Sequence, residues 1–487
     1  MSQDSPTVKI NERERLLRDT FTIAERLTLS SLLVASLVLF TIAEPRSYWT
    51  MGFVLILGIL APAILKVHER NHPFIIVALW RRFWIYSAPI TFLCLQFVVG
   101  LMNNPVVSIE FDGQLYDSII ATSVWLPTSV ITAKTWLAVL TYASIYLLCM
   151  NLYIVPKSRS FFERALPLFC LLAVILAVLG YLQVAMGAND VIFTNGTGQS
   201  DFFAFFPYDG HWAAFATIWT AACIGMALLN SRYDPNGSFI DSSGPWYLTG
   251  ATLLAASGFI IQAKWPSTVL LITFSILLMF VAIHFLTKSN DRNRNLIALF
   301  CGLGSSIIFA ATIVRLFQFD TDTSDSNVLH QAALEIFKDR PLLGWGFDSF
   351  AQIAPFYTAD TILGAKYDRA STDVVHYLAE LGLVGALLLP ITCLIVLLEY
   401  LRERRNVVLS QHLLIGCAGV VVLAFCDSPF MSPAVFLSFF IVFFSAMRWA
   451  KISRVDSDSL DTKPQLVISD KERGVPIFTG EYKDITK

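Results

Sequence analysis

The feature that most constrains this chain is a succession of apolar runs, each close to the ~20 residues that an α-helix needs to cross a bilayer core. Bounded by charges, Pro and Gly, they fall near 27–43, 51–66, 83–103, 136–154, 165–186, 211–230, 246–263, 268–287, 295–314, 377–400, 411–428 and 433–450. About twelve such runs predict an all-α polytopic membrane protein. Composition agrees, since only 15% of the 487 residues are charged, against about 25% in a soluble domain. A formal charge of -2 leaves no basic excess to engage nucleic acid. All eight cysteines lie within apolar runs or at their ends, so they read as small buried hydrophobes and suggest neither a loop disulfide nor a zinc site. Arg13, Arg15, Arg18 and Arg26 before the first run mimic a signal peptide. The length of that run and the eleven behind it favour a retained span.

Lys and Arg set the orientation. With the N-terminus inside, 27 of the 35 basic residues share the side of both termini, which predicts cytoplasmic termini. The other eight are Arg46, Lys134, Lys264, Arg315, Lys338, Arg340, Lys366 and Arg369. The expected organisation is a cytoplasmic segment 1–26, a transmembrane domain 27–450, and a polar, flexible cytoplasmic tail 451–487. A large outer loop, 315–376, separates the ninth and tenth spans. Loops beyond ~15 residues are generally functional or disordered, and this one has order written into it. Leu329, Ala332, Ala333, Ile336 and Phe337 recur at helical spacing, Pro341 ends that helix, and Gly344-Trp345-Gly346-Phe347 turns the chain.

Ionisable residues are almost missing at mid-membrane depth, which counts against ion-coupled transport. They gather at outer helix ends instead. Asp209 and His211 open the sixth span, Lys264 closes the seventh, Arg315 closes the ninth, and Asp373, His376 and Glu380 open the tenth. His376 and Glu380, four apart, share a helix face. Each residue also has a plainer reading: interfacial anchors for Lys264, Arg315 and His211, a helix N-cap for Asp373. No outward carboxylate cluster suggests a metal, and no Gly-Lys-Ser/Thr follows Gly346 to make a nucleotide loop.

Three stretches carry a family resemblance. The first runs from Ala332-Ala333-Leu334-Glu335-Ile336-Phe337 through Pro341-Leu342-Leu343-Gly344-Trp345-Gly346-Phe347 to Phe350. The second is Tyr377-Leu378-Ala379-Glu380-Leu381-Gly382-Leu383-Val384-Gly385, and the third Pro207-Tyr208-Asp209-Gly210-His211-Trp212-Ala213-Ala214. Across about 200–400 this order resembles the O-antigen ligase and polysaccharide polymerase superfamily of bacterial membrane proteins. The chain departs from the family pattern at three points. Ser371 and Thr372 stand where the family has His-Asn, with His376 five residues further on. Ser326 stands where an Arg is usual, with His330 nearby, and Lys264 where a Ser-Arg pair is usual.

The resemblance implies a GT-C-type membrane fold in the bacterial inner membrane and glycan transfer on the periplasmic side. The donor would be a glycan on a polyprenyl diphosphate. The acceptor would be a glycan or lipid A core hydroxyl. Under that reading Arg315, Lys264 and Arg340 stabilise the leaving diphosphate without metal or other cofactor, and Asp209, His211 and Asp373 contact substrate. His376 takes the acceptor's proton and Glu380 orients it. The competing readings are a lipid-linked glycan flippase or exporter, and a non-catalytic subunit of a polysaccharide assembly complex.

Overall fold

The computed structural model describes residues 21–42, 48–70, 76–111, 114–119, 123–130, 132–188, 202–233, 239, 242–288, 292–318, 324–358, 369–402 and 407–461. Expectations for the N-terminal segment before 21, the tail beyond 461, Arg46 and Lys366 lie outside these residues.

The chain is a helical bundle with one small hairpin. Its helices are α1 Ile23–Ile42, α2 Tyr48–Arg70, α3 Ile76–Tyr86, α4 Ala88–Gly100, α5 Thr132–Ile154, α6 Arg159–Ala185, α7 Asp209–Tyr233 and α8 Gly244–Ala256. They continue as α9 Lys264–Lys288, α10 Arg292–Gln318, α11 Ser324–Asp339, α12 Phe350–Thr358, α13 Asp373–Arg402, α14 Val408–Leu423 and α15 Pro433–Asp461. Among the described residues, eight helices are long and apolar enough to cross a membrane, or nine if α3 and α4, bent by 56° at Ser87, form one span. Helix α2 and the shorter α8 and α14 coincide with the remaining apolar runs.

To the expected helices the structure adds one small element. Strands β1 Val106–Phe111 and β2 Gln114–Ile119 pair antiparallel between α4 and α5. The signal was present in Val-Val-Ser-Ile-Glu-Phe and Gln-Leu-Tyr-Asp-Ser-Ile flanking Asp-Gly, apolar and polar residues alternating around a turn dipeptide.

At the centre stands α7, buried along its whole apolar length. Ala213, Ala214, Ala216, Ala221, Ala222 and Ala227 line it. Small side chains let neighbouring backbones approach where lipid supplies no hydrophobic drive. Trp212 and Trp219, fully buried, donate to Ser257 Oγ (2.9 Å) and Ser438 Oγ (3.1 Å), so each indole N–H is satisfied inside the bundle. By contrast α10 packs chiefly on α9, joined by reciprocal hydroxyl-to-carbonyl bonds between Ser275 and Ser305 (2.9 and 2.8 Å).

Contacts between helix ends sort onto two faces. On one face Glu25 accepts from the Lys157 N–H (2.9 Å), and Glu399 accepts from Tyr86 (3.1 Å) and Tyr153 (3.0 Å). On the other lie Asp209, Arg315, Asp373 and Asp427. This is the segregation that the alternating spans require.

Candidate functional site

The second face is organised by an opening in α13. Gly382 adopts φ 65° and ψ -176°, breaking the helix within its third turn. The Leu383 and Val384 N–H groups would ordinarily donate to the Ala379 and Glu380 carbonyls, four residues back. Here those carbonyls accept from Trp345 (3.3 Å) and Gly346 (2.8 Å), and the two N–H groups donate to Pro341 (2.8 Å) and Leu342 (3.2 Å). The segment 341–346 is thus inserted into the helix's own hydrogen-bond ladder. Backbone groups opened in a membrane helix need such partners, because lipid offers none. The approach admits no side chain: a Cβ on Gly344 (φ +64°) would lie 2.3 Å from the Glu380 carbonyl oxygen, and one on Gly382 2.4 Å from Leu342. The Pro-Leu-x-Gly-x-Gly stretch and the Glu-x-Gly stretch are therefore one structural unit.

Side chains lock that unit. Glu380, buried, accepts from the Asp348 N–H and from the Phe350 N–H at the start of α12, both at 2.9 Å. A carboxylate there also meets the positive end of the helix. Arg340 is buried beside the Trp345 ring, 4.6 Å from its centroid, and donates to the Ser123 (2.9 Å) and Leu126 (3.4 Å) carbonyls. Burial lowers its pKa from the ordinary arginine value, with Tyr357 and Asp339 acting in the opposite sense. Gln96 donates to the Leu343 carbonyl and Thr128 to that of Trp345 (2.8 Å). The expected amphipathic helix is α11, with Leu329, Ala332, Ala333 and Ile336 buried.

His376 lies inside this assembly, buried. Its Nε2 is 3.5 Å from Glu380 Oε2, and its Nδ1 receives a long hydrogen bond from the Ala370 N–H (3.4 Å). That pattern puts the proton on Nε2, leaving the lone pair turned to a backbone donor. The ring thus sits in the first turn of α13, between the Ala370 N–H and the Glu380 carboxylate. Asp373, also buried, accepts from the Phe430 N–H (2.8 Å), while its own N–H donates to the Asp427 carbonyl (3.1 Å). It ties α13 to the link between α14 and α15.

The third stretch closes the same end. Asp209, the first residue of α7, accepts from the Gln262 (2.6 Å) and Ala263 (3.1 Å) N–H groups. Arg315 donates to the Phe259 (2.7 Å) and Ile261 carbonyls of the same link. Lys264, half-buried beside Trp265, starts α9 from that link. His211 lies 3.1 Å from the Ser428 carbonyl, and Tyr208 donates to Asp427 (2.7 Å). Burial, then the nearby Asp427, pushes the Tyr208 hydroxyl well above its usual pKa. A cavity of about 220 Å³ opens here, bordered by Asp209, Ile261, Gln262 and Phe203.

One cation at this end escaped the sequence assignment of site residues. The Arg369 guanidinium lies 3.7 Å from the Tyr208 ring centroid, with Nη1 3.4 Å from His211 Nε2. The His211 nitrogen faces both this group and the Ser428 carbonyl. The shorter contact, to the carbonyl, fits a protonated Nε2, so Arg369 rests on the Tyr208 ring as a cation–π contact. Its signal was the concentration of outer basic residues in the 315–376 loop. The structure therefore brings Asp209, Lys264 and Arg315 together, sets His211, Arg369 and Asp373 beside them through the 208–211 turn and Asp427–Phe430, and leaves Arg340 in the loop's anchor.

Residues 239–390 match the family model described as O-antigen ligase. That segment is an O-antigen ligase domain. The ligase domain covers roughly a third of the chain, from Phe239 before α8 to Pro390 within α13, and so contains the interlocked loop and helix break. It also holds Lys264, Arg315, Arg369, Asp373, His376 and Glu380, whereas Asp209 and His211 reach the site from outside it. No curated protein matches the chain. Ligase-domain membership and the apolar helices make this a multi-pass membrane protein of polysaccharide biosynthesis, with O-antigen ligase- or polymerase-type function in general.

Proposed function

We propose that the protein transfers a glycan from a polyprenyl diphosphate to a sugar hydroxyl, on a glycan or on lipid A core, at the periplasmic face of the bacterial inner membrane. In this reading twelve spans in a GT-C-type arrangement place both termini in the cytoplasm, and the 319–372 loop faces outward. One observation carries it: inside and beside a ligase domain, three stretches distant in the chain close on a single end of the bundle that holds Lys264, Arg315 and Arg369. A departing diphosphate mainly needs fixed positive charge, which these side chains supply without metal. Arg315 is held by carbonyls and half-buried, Lys264 starts α9, and the helix's own N-terminal dipole adds to both. Arg340 serves by fixing the loop.

The flippase reading predicts polar groups along a path through the bundle. Among the described residues, the ionisable side chains of the spans sit near helix ends, and central α7 is apolar and fully buried. Lipid-linked and surface glycans in a deletion strain test the proposal. Single repeat units accumulating on the carrier identify a polymerase, and finished polymer stranded there identifies a ligase. Lipid-linked and surface glycans unchanged from the parent strain would overturn the proposal.

A further inference from the structure

We propose that His330 and Ser371 form the group that accepts the proton of the attacking sugar hydroxyl, a role for which the sequence offered His376. This assignment rests on the glycan-transfer reading above.

It starts from a substitution in the chain itself. Ser371 stands where the family pattern leads one to expect a histidine, and the imidazole missing from that point is supplied from another element. His330 lies on α11, and its Nδ1 is 3.1 Å from Ser371 Oγ. The two residues are 41 apart in sequence, so only the packing of α11 against the start of α13 brings them together. With Nδ1–H donating to Ser371 Oγ, the ring is held in one tautomer and Nε2 keeps its lone pair. Among the described residues none bonds Nε2, and the residue is half-buried, not sealed. His376 offers the opposite: a buried ring with Nε2 toward Glu380 and Nδ1 beneath a backbone N–H.

The pair also sits beside the positive charge. Ser371 follows Arg369 by two residues, a separation of at most about 7 Å along an extended chain. Arg369 in turn lies on Tyr208, next to Asp209 of the Lys264 and Arg315 group. A glycosyl diphosphate against these cations would present its anomeric carbon within reach of a hydroxyl bound at His330. In the transfer step the hydroxyl oxygen bonds to the anomeric carbon as its proton passes to Nε2. The bond from that carbon to the diphosphate oxygen breaks, and its electron pair leaves with the polyprenyl diphosphate. No oxidant, reductant or metal is required for the balance.

The test uses full-length variants in the deletion strain, scoring surface glycan against lipid-linked donor at matched membrane levels. His330→Ala and His330→Gln should each lower transfer by about a hundredfold or more, the scale of general-base catalysis. Imidazole added to the medium, which reaches an outward-facing site, should restore part of the activity of His330→Ala. Combining His330→Ala with Ser371→His should restore more, because the ring returns to the same place from the other side of the hydrogen bond. Transfer within twofold of wild type in His330→Ala overturns the assignment alone. So does a loss that neither imidazole nor Ser371→His relieves, or the disappearance of both His330 variants from the membrane. A wild-type strain whose glycans equal those of the deletion strain overturns the glycan-transfer reading, and this pair with it.

Discussion

Two sets of polar side chains meet at the same end of the bundle, and they differ in what their atoms already hold. Glu380, His376, Arg340 and Asp373 are buried, and each has a backbone group as a partner. Lys264, Arg369, His330 and Ser371 are half-buried and rest on aromatic rings or on one another. The first set builds the outer end. The second has polar atoms left for a substrate. A buried charge fixed on backbone groups is strongly destabilising to remove, because its partners lose their compensation. A half-exposed charge on a ring contributes little to folding and can turn toward a ligand at small cost. Residue type alone ranks His376 and Arg340 above His330 and Arg369; the order proposed above rests on their partners instead.

Substitutions should separate the two sets. The largest effect is expected at the helix break. Gly382→Ala or Gly344→Ala forces a side chain into a left-handed conformation costing about 1–3 kcal/mol, and its Cβ overlaps backbone 2.3–2.4 Å away. Most of the folded protein should be lost, read as membrane abundance and as Tm in detergent. Next comes Glu380→Gln, which puts an amide where two backbone N–H groups require acceptors. Hydrogen bonds to a charged group are worth about 1.5–3 kcal/mol each, so Tm and transfer should fall together. A variant with wild-type Tm and abolished transfer would move Glu380 into the reacting set.

Arg340→Ala and Arg369→Ala make the sharpest pair. The first removes the bonds to Ser123 and Leu126 and should lower Tm clearly. The second should shift stability by no more than about 1 kcal/mol, the scale of a partly exposed cation–π contact, while transfer drops at least tenfold. The reverse pattern would break the distinction between the sets. The smallest expected effect is none at all: EDTA should leave transfer by the purified protein unchanged, since Lys264, Arg315 and Arg369 supply the charge. Activity that vanished with EDTA and returned with magnesium would require a metal in the mechanism.

Much of this architecture was legible in the chain. Apolar runs bounded by charges and Pro mark helices because a spanning segment must be both long and apolar, and the 3.6-residue spacing of Leu329, Ala333 and Ile336 marked α11. The end of α10 shows where such signals stop, since its helix runs to Gln318, past the Arg315 at which the loop was expected to begin. The β-hairpin was missed because its alternation is short and lies between strong helical signals. What occupies His376 and Arg340 could not be read at all. The partners of Arg340 are 217 and 214 residues away, and the N–H beneath His376 belongs to Ala370, in the link that precedes α13. The pairing of His330 with Ser371, 41 residues apart, was hidden because only tertiary packing makes it.

The central claim is tested most directly in liposomes containing the purified full-length protein, a sugar acceptor, and polyprenyl diphosphate-linked glycan isolated from the deletion strain. The account predicts that glycan moves onto the acceptor while free polyprenyl diphosphate appears in equal amount. Donor recovered intact, or carried across the bilayer with its glycan still attached to lipid, would contradict it.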